Sequence, residues 1–179
     1  PKGIMRYVVP CTVFLKLRDI GADVLPPYRE HFEAVAMTEA QQQAYEQLTQ
    51  SLKAELKDAL RKGDKSLLGV VLNVLLAWPD CCFRDERVAH PHTRQQLAYV
   101  PAQFGEAEAM PKERELVELC KSEKARGRRV LVYSVYTGTR DTTSRLKATL
   151  DRHGFKTAVL KASVEAAKRE DWLFEQVDR

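Results

Sequence analysis

Apolar and polar residues alternate along this chain with two different periods, and each period marks out its own elements. After Thr38 the spacing is helical: Tyr45, Leu48, Leu52, Leu56 and Leu60 fall on one face. Thr38 with Gln41 three positions later has the form of a capping box, and Gly63 stands where such a helix would end. Residues 67–78 (LLGVVLNVLLAW) are apolar nearly all round, which predicts a buried helix stopped at Pro79. Residues 79–110 hold Pro79, Pro91, Pro101 and Gly105 and read as a long irregular loop. Pro111 is placed as the first residue of a helix running to Arg126, with Leu116, Leu119 and Cys120 facing inward and Gly127 ending it.

Elsewhere the pattern is that of strands. Residues 12–17 (TVFLKL) and 32–37 (FEAVAM) read as short strands, separated by a loop with Gly21, Pro26 and Pro27. Val130, Leu131, Val132 and Tyr133 form a continuous apolar run, as expected of a parallel strand covered on both faces. A helix over 139–153, with Leu146 and Leu150 inward and Gly154 after it, leads to a second parallel strand at 156–161. Ser163 is the expected cap of a last helix carrying Val164, Ala167, Phe174 and Val177. The pattern divides the chain into a mainly helical 1–110 and an α/β unit at 111–179. A parallel sheet of two strands has exposed edges, so the N-terminal strands, or a second copy in a homodimer or swapped sheet, would have to pair onto it.

The turn Thr137-Gly138-Thr139 follows the first of these strands. Ligands of open α/β sheets bind at the C-terminal ends of strands, and the free N–H groups of a helix start favour phosphate. The same residues, with Asp141, would equally serve as a plain helix cap. Arg140, Arg145, Lys147, Arg152, Lys156, Lys161 and Lys168 read first as a solvated face.

Composition narrows the classes. The 179 residues are 44% hydrophobic and 30% charged, with formal net charge +4, as in a globular domain able to meet nucleic acid. No apolar run has the length of a membrane span, and the N-terminal residues PKGIMRYVVPC do not have the layout of a signal peptide. It lacks an initiator Met, which is expected of a piece of a longer protein. Cys11, Cys81, Cys82 and Cys120 include no CxxC pair, which suits a reducing cytoplasm. Cys81 and Cys82 with His90 and His92 match no zinc spacing and read as packing or loop residues. Asp85-Glu86 reads as a solvated loop pair, since no apolar strand precedes it. The chain has no GxxxxGK[ST] loop, no GxGxxG fingerprint and no recognisable catalytic histidine pattern, so no metal, cofactor or catalytic residue is assigned to it.

The order of segments resembles the start of the second motor lobe of Snf-type DNA translocases, a branch of the superfamily-two helicases. Phe14-Leu15, Arg18, Val24-Leu25-Pro26-Pro27, Val35–Met37, Gln42-Gln43 and Tyr45 follow that family's opening order. VLVYSVYTGTRDTTSRL is similar to its fourth helicase motif, and VLKASVEAAKRE to the next strand and turn, through Ser163 and Arg169. The chain departs from the family where Lys161-Ala162-Ser163 replaces Asp-Gly-Ser, and DCCFRDERVAHP does not reproduce its cysteine–Asn–His–Pro element. The resemblance implies a partial RecA-like parallel sheet with flanking helices behind a mainly helical N-terminal segment. It implies an ATP- and magnesium-dependent parent whose first lobe is a partner, and a piece that hydrolyses nothing alone. It also implies contacts to the backbone of duplex DNA, assigned to Ser134, Thr137, Gly138, Thr139, Arg140, Lys161 and Ser163. The competing reading is a protein-interaction or regulatory module that docks through the amphipathic helix 38–62.

Overall fold

The computed structural model describes residues 12–13 and 29–177. Most of the expected strand at 12–17 and all of the Val24–Pro27 loop lie outside the described residues. The chain divides into two units, Pro1–Ala34 and Val35–Arg179. In the first, residues 29–34 carry no regular structure, and Phe32 is 92% exposed. Residues 35–37 of the second unit are also irregular, so the strand expected at 32–37 does not form. An isolated short strand has no partner for its backbone groups, and among the described residues none pairs with this segment.

The second unit is built on α1 (Glu39–Arg61) and α2 (Leu67–Cys81). Thr38 caps α1 as its sequence implies: its Oγ1 accepts from Gln41 N at 3.2 Å, and its N–H donates to Gln41 Oε1 at 3.4 Å. The apolar stripe of α1 faces inward at Leu48 and Leu52, while Leu60 at its end is 43% exposed. Leu48 and Leu52 are buried in one cluster with Leu67, Val71, Val74 and Trp78 of α2. Each such side chain contributes about 1.5–3 kcal/mol of burial. Leu48 and Leu52 are therefore occupied by the protein's own core.

Helix α2 does not stop at Pro79 but runs on to Cys81. A proline inside a helix leaves the carbonyl four residues earlier without its N–H partner. That carbonyl belongs to Leu75, and the Tyr45 hydroxyl of α1 donates to it at 3.2 Å. Gln41, also on α1, donates to the Pro79 carbonyl at 3.4 Å. Two polar residues of one helix thus complete the hydrogen bonding of the other past its proline. Helix α2 is also not covered all round: Leu68, Leu72 and Leu76 line an exposed face.

The expected loop at 79–110 contains a β-hairpin. Strand β1 (Glu86–Ala89) pairs antiparallel with β2 (Gln96–Val100), in the register Glu86↔Val100 and Val88↔Ala98, with an irregularity at Val88/Ala89. Val88, Ala98 and Val100 turn inward and join the α1–α2 cluster. The connecting turn is held by His90, whose N–H donates to Gln95 O at 2.8 Å and whose Nδ1 accepts from His92 N at 3.2 Å. Arg94 takes a positive φ of 62° there.

Helix α3 (Pro111–Ala125) begins at its proline as read, and α4 (Thr142–Arg152) packs against it through Val117, Cys120 and Leu150. Leu119, expected inward, is 42% exposed. Gly127 and Gly154 follow α3 and α4 at φ +72° and +77°, a conformation few other residues adopt. The last helix, α5 (Arg169–Val177), is preceded by one 3-10 turn at Ala166–Lys168, so Glu165 and not Ser163 stands at its entrance.

The class is thus mixed helix and strand, but its one sheet among the described residues is a two-stranded antiparallel hairpin. Residues 130–133 and 156–161, expected as parallel strands, carry no strand structure. Leu131 and Tyr133 are nearly fully exposed. Parallel pairing needs neighbouring strands and cover on both faces. Here α4 packs on α3, and among the described residues the two segments pair with no strand.

Candidate nucleic-acid interface

The turn at 137–141 lies exposed ahead of α4. Asp141 is the N-cap, at a left-handed φ of 47°, and its carboxylate accepts from Ser144 N at 3.4 Å. The helix start expected to meet a phosphate therefore already carries a carboxylate of its own. Thr142 is buried: its hydroxyl donates to the Tyr136 carbonyl at 2.7 Å and shares a 2.6 Å hydrogen bond with Ser134. Ser134 thus braces the turn from inside. Thr137, Gly138 and Thr139 stand at the surface, and the hydroxyls of both threonines have no hydrogen-bond partner among the described residues.

Arg140 does not belong to a solvated face. It donates to Glu86 Oε1 at 2.9 Å and to Asn73 Oδ1 at 3.0 Å, and its side chain is largely covered. It ties the turn to β1 and α2. Arg145 is buried still further. It forms a two-pronged ion pair with the buried Glu113, at 2.7 and 3.0 Å, and donates to the carbonyls of Gly105 and Glu108. Its guanidinium also lies 4.6 Å from the centre of the Phe83 ring. Glu113 in turn accepts from Met110 N at 2.7 Å. This hub joins α3, α4 and the 105–108 loop, and so fixes where the turn before α4 stands. Arg152 likewise donates to Glu106 O at 3.0 Å. Three of the seven basic residues read as a solvated face are structural.

Lys161 and Ser163 are both exposed, on a turn closed by Val164 N donating to Lys161 O at 3.0 Å. Among the described residues no hydrogen bond or ion pair joins this turn to Thr137–Arg140.

A polar cleft of about 440 Å³ opens beside Thr139 and Arg140, lined also by Arg84, Asp85, Glu86 and Arg87. Arg84 donates to the Thr139 carbonyl. Asp85 is not a free loop acid: it accepts from Ala102 N at 3.1 Å and the Tyr99 hydroxyl at 3.0 Å. Those two donors hold its carboxyl below the usual range. Arg84 and Arg87 escaped sequence reading because the hairpin that presents them carries no turn signature.

Cys81 and Cys82 are fully buried, and burial pushes their thiols up to about 12 and about 11. Such thiols are inert packing residues. His90 Nε2 lies 3.4 Å from Asp64 Oδ2. Among the described residues no group of His, Cys, Asp and Glu is arranged to hold a metal ion, and no helix is long and apolar enough to cross a membrane. No protein-family model matches the chain, and no curated protein and no solved structure matches it.

Proposed function

We propose that this chain is part of the second motor lobe of a Snf-type, ATP-dependent DNA translocase. In this reading it contributes contacts to the backbone of duplex DNA and does not hydrolyse ATP by itself. The observation that carries the reading is the exposed Thr137-Gly138-Thr139 turn, with two unengaged hydroxyls beside a cleft lined by three arginines. Hydroxyls, backbone N–H groups and guanidinium ions are the groups that bond phosphate oxygens without reading sequence. Lys161 and Ser163 form a second, separate contact point. Ser134 and Arg140 act behind the surface as positioning residues.

The finer fold assignment belongs to the same proposal. Residues 130–133 and 156–161 become parallel strands of a RecA-like sheet when neighbouring strands are supplied. Their exposed apolar side chains support this, because such surface is stable only when covered. ATP and magnesium act in the parent, between this lobe and the first. Buried, unpaired thiols suit a reducing cytoplasm.

The test is duplex binding across a salt series. Affinity should fall linearly in log–log form, with a slope near 0.9 per phosphate contact. Thr139→Ala with Lys161→Ala should weaken binding and leave the fold intact. A chain whose binding to duplex DNA does not depend on salt is not a backbone-contacting lobe.

A protein-interaction module is the second reading, favoured by the exposed leucines at 68, 72 and 76 of α2. It predicts that Leu72→Lys abolishes capture of a partner while duplex binding stays as it was.

A further inference from the structure

The cleft beside Thr139 holds more hydrogen-bond donors than its own acceptors use. Both carboxylates are engaged within the protein. Asp85 accepts from Tyr99 and Ala102, and Glu86 accepts from Arg140. Arg140 is correspondingly occupied, by Glu86 and Asn73. The other two arginines are not. A guanidinium has five N–H donors. Arg84 uses one, toward the Thr139 carbonyl, and makes no other side-chain hydrogen bond among the described residues. Arg87 makes no side-chain hydrogen bond among them; it rests 5.0 Å from the centre of the Tyr99 ring, and its charge adds to the Ala102 and Tyr99 hydrogen bonds that hold the Asp85 carboxyl below the usual range. Both side chains are exposed at the cleft mouth: Arg84 stands in the bend two positions before β1, and Arg87 lies within the strand.

A surplus of planar, permanently charged donors around a cleft of about 440 Å³ calls for an oxyanion with several acceptor oxygens. A carbonyl-tethered arginine is also pre-organised, because Thr139 already fixes its direction. We propose that Arg87 of the hairpin and Arg84 just ahead of it, together with Thr139, form a phosphate-binding cleft. The hairpin then acts as a second jaw that grips the nucleic-acid backbone opposite the Thr137–Thr139 turn. This rests on the nucleic-acid reading above and adds to it a contact outside the segments that carry the resemblance. The shared chemistry is the phosphate group, whether in a duplex backbone or free in solution.

The experiment uses the 179-residue chain and a fluorescently labelled DNA duplex, titrated across a salt series. A second arm measures binding of inorganic phosphate by ³¹P NMR. The variant is Arg84→Ala with Arg87→Ala. The charge-matched control is Lys53→Ala with Lys57→Ala on α1, and circular dichroism checks that each folds. Arg84→Lys keeps the charge and removes the fork. We expect the arginine pair to weaken duplex binding about tenfold and lower the salt slope by about two, with the lysine pair changing affinity less than about twofold. Arg84→Lys should fall between. If wild type binds duplex with a salt slope but the arginine pair behaves like the lysine pair, the cleft proposal is overturned and the nucleic-acid reading stands. If duplex does not bind while phosphate binds in an Arg84- and Arg87-dependent way, the cleft is upheld as a site for free phosphate and the nucleic-acid reading falls. Binding of neither overturns both.

Discussion

Two regions of this protein are equally rich in apolar residues and end in opposite states. In the α1–α2–hairpin core, Leu52 and Trp78 are fully buried, whereas in the 130–135 stretch Leu131 and Tyr133 are 88% and 89% exposed. The difference lies in where each element finds its hydrogen bonds. A helix satisfies its own backbone, and the hairpin satisfies its backbone across one short turn. A parallel strand depends on a neighbour reached through a crossover, and on cover from helices on both faces. Hydrophobicity alone does not make a core. It makes one where the backbone of the same segment can be paired at the same time.

The sharpest way to break this comparison is to remove side chains from both regions. Trp78→Ala should cost about 3–5 kcal/mol, as large cavities in closed cores do. Leu131→Ala and Tyr133→Ser should each change stability by less than about 0.5 kcal/mol, as exposed positions do. Urea denaturation of the three variants measures both. A loss from Leu131→Ala comparable to that from Trp78→Ala would mean that the stretch is packed in solution, and the contrast would vanish.

The next largest effect concerns the hub that joins α3, α4 and the 105–108 loop. Glu113 and Arg145 are buried as a pair, so Glu113→Ala leaves a guanidinium without its partner and should cost about 3 kcal/mol. Glu113→Leu with Arg145→Met should cost much less than the sum of the single changes, because no charge is then left unpaired. Additive losses would show that the two residues act separately and that the hub is not a unit.

Local signals in the sequence were sufficient for the helices. Thr38 with Gln41, Pro111, Gly63 and Gly127 each act within one turn of themselves, and each stands where its residue type implies. Signals with distant partners were not legible. Pro79 reads as a stop, yet the Tyr45 hydroxyl, 30 residues away, takes up the carbonyl it leaves unpaired. The hairpin was hidden because its turn contains Pro91 and two histidines in place of an Asn-Gly or Asp-Gly pair. At the candidate site, the surface turn at 137–139 could be read from its residue types. The withdrawal of Arg140 could not, because its partners Glu86 and Asn73 lie 54 and 67 positions away.

The smallest expected effect compares the caps of the two regions. Thr38 closes a reciprocal box on α1, so Thr38→Ala should cost about 1 kcal/mol in urea denaturation. Asp141 caps α4 from a left-handed backbone, which asparagine adopts as readily and caps as well. Asp141→Asn should therefore change stability by no more than roughly 0.3 kcal/mol. Its effect should appear in binding instead. The carboxylate stands beside the Thr137–Thr139 turn, where it repels any phosphate that approaches. Removing it should tighten duplex binding about twofold at low salt, the size of one exposed charge interaction, and the gain should shrink as salt rises. Unchanged affinity at every salt concentration would place the bound phosphates away from this turn, and the Lys161–Ser163 turn would then be the contact to pursue.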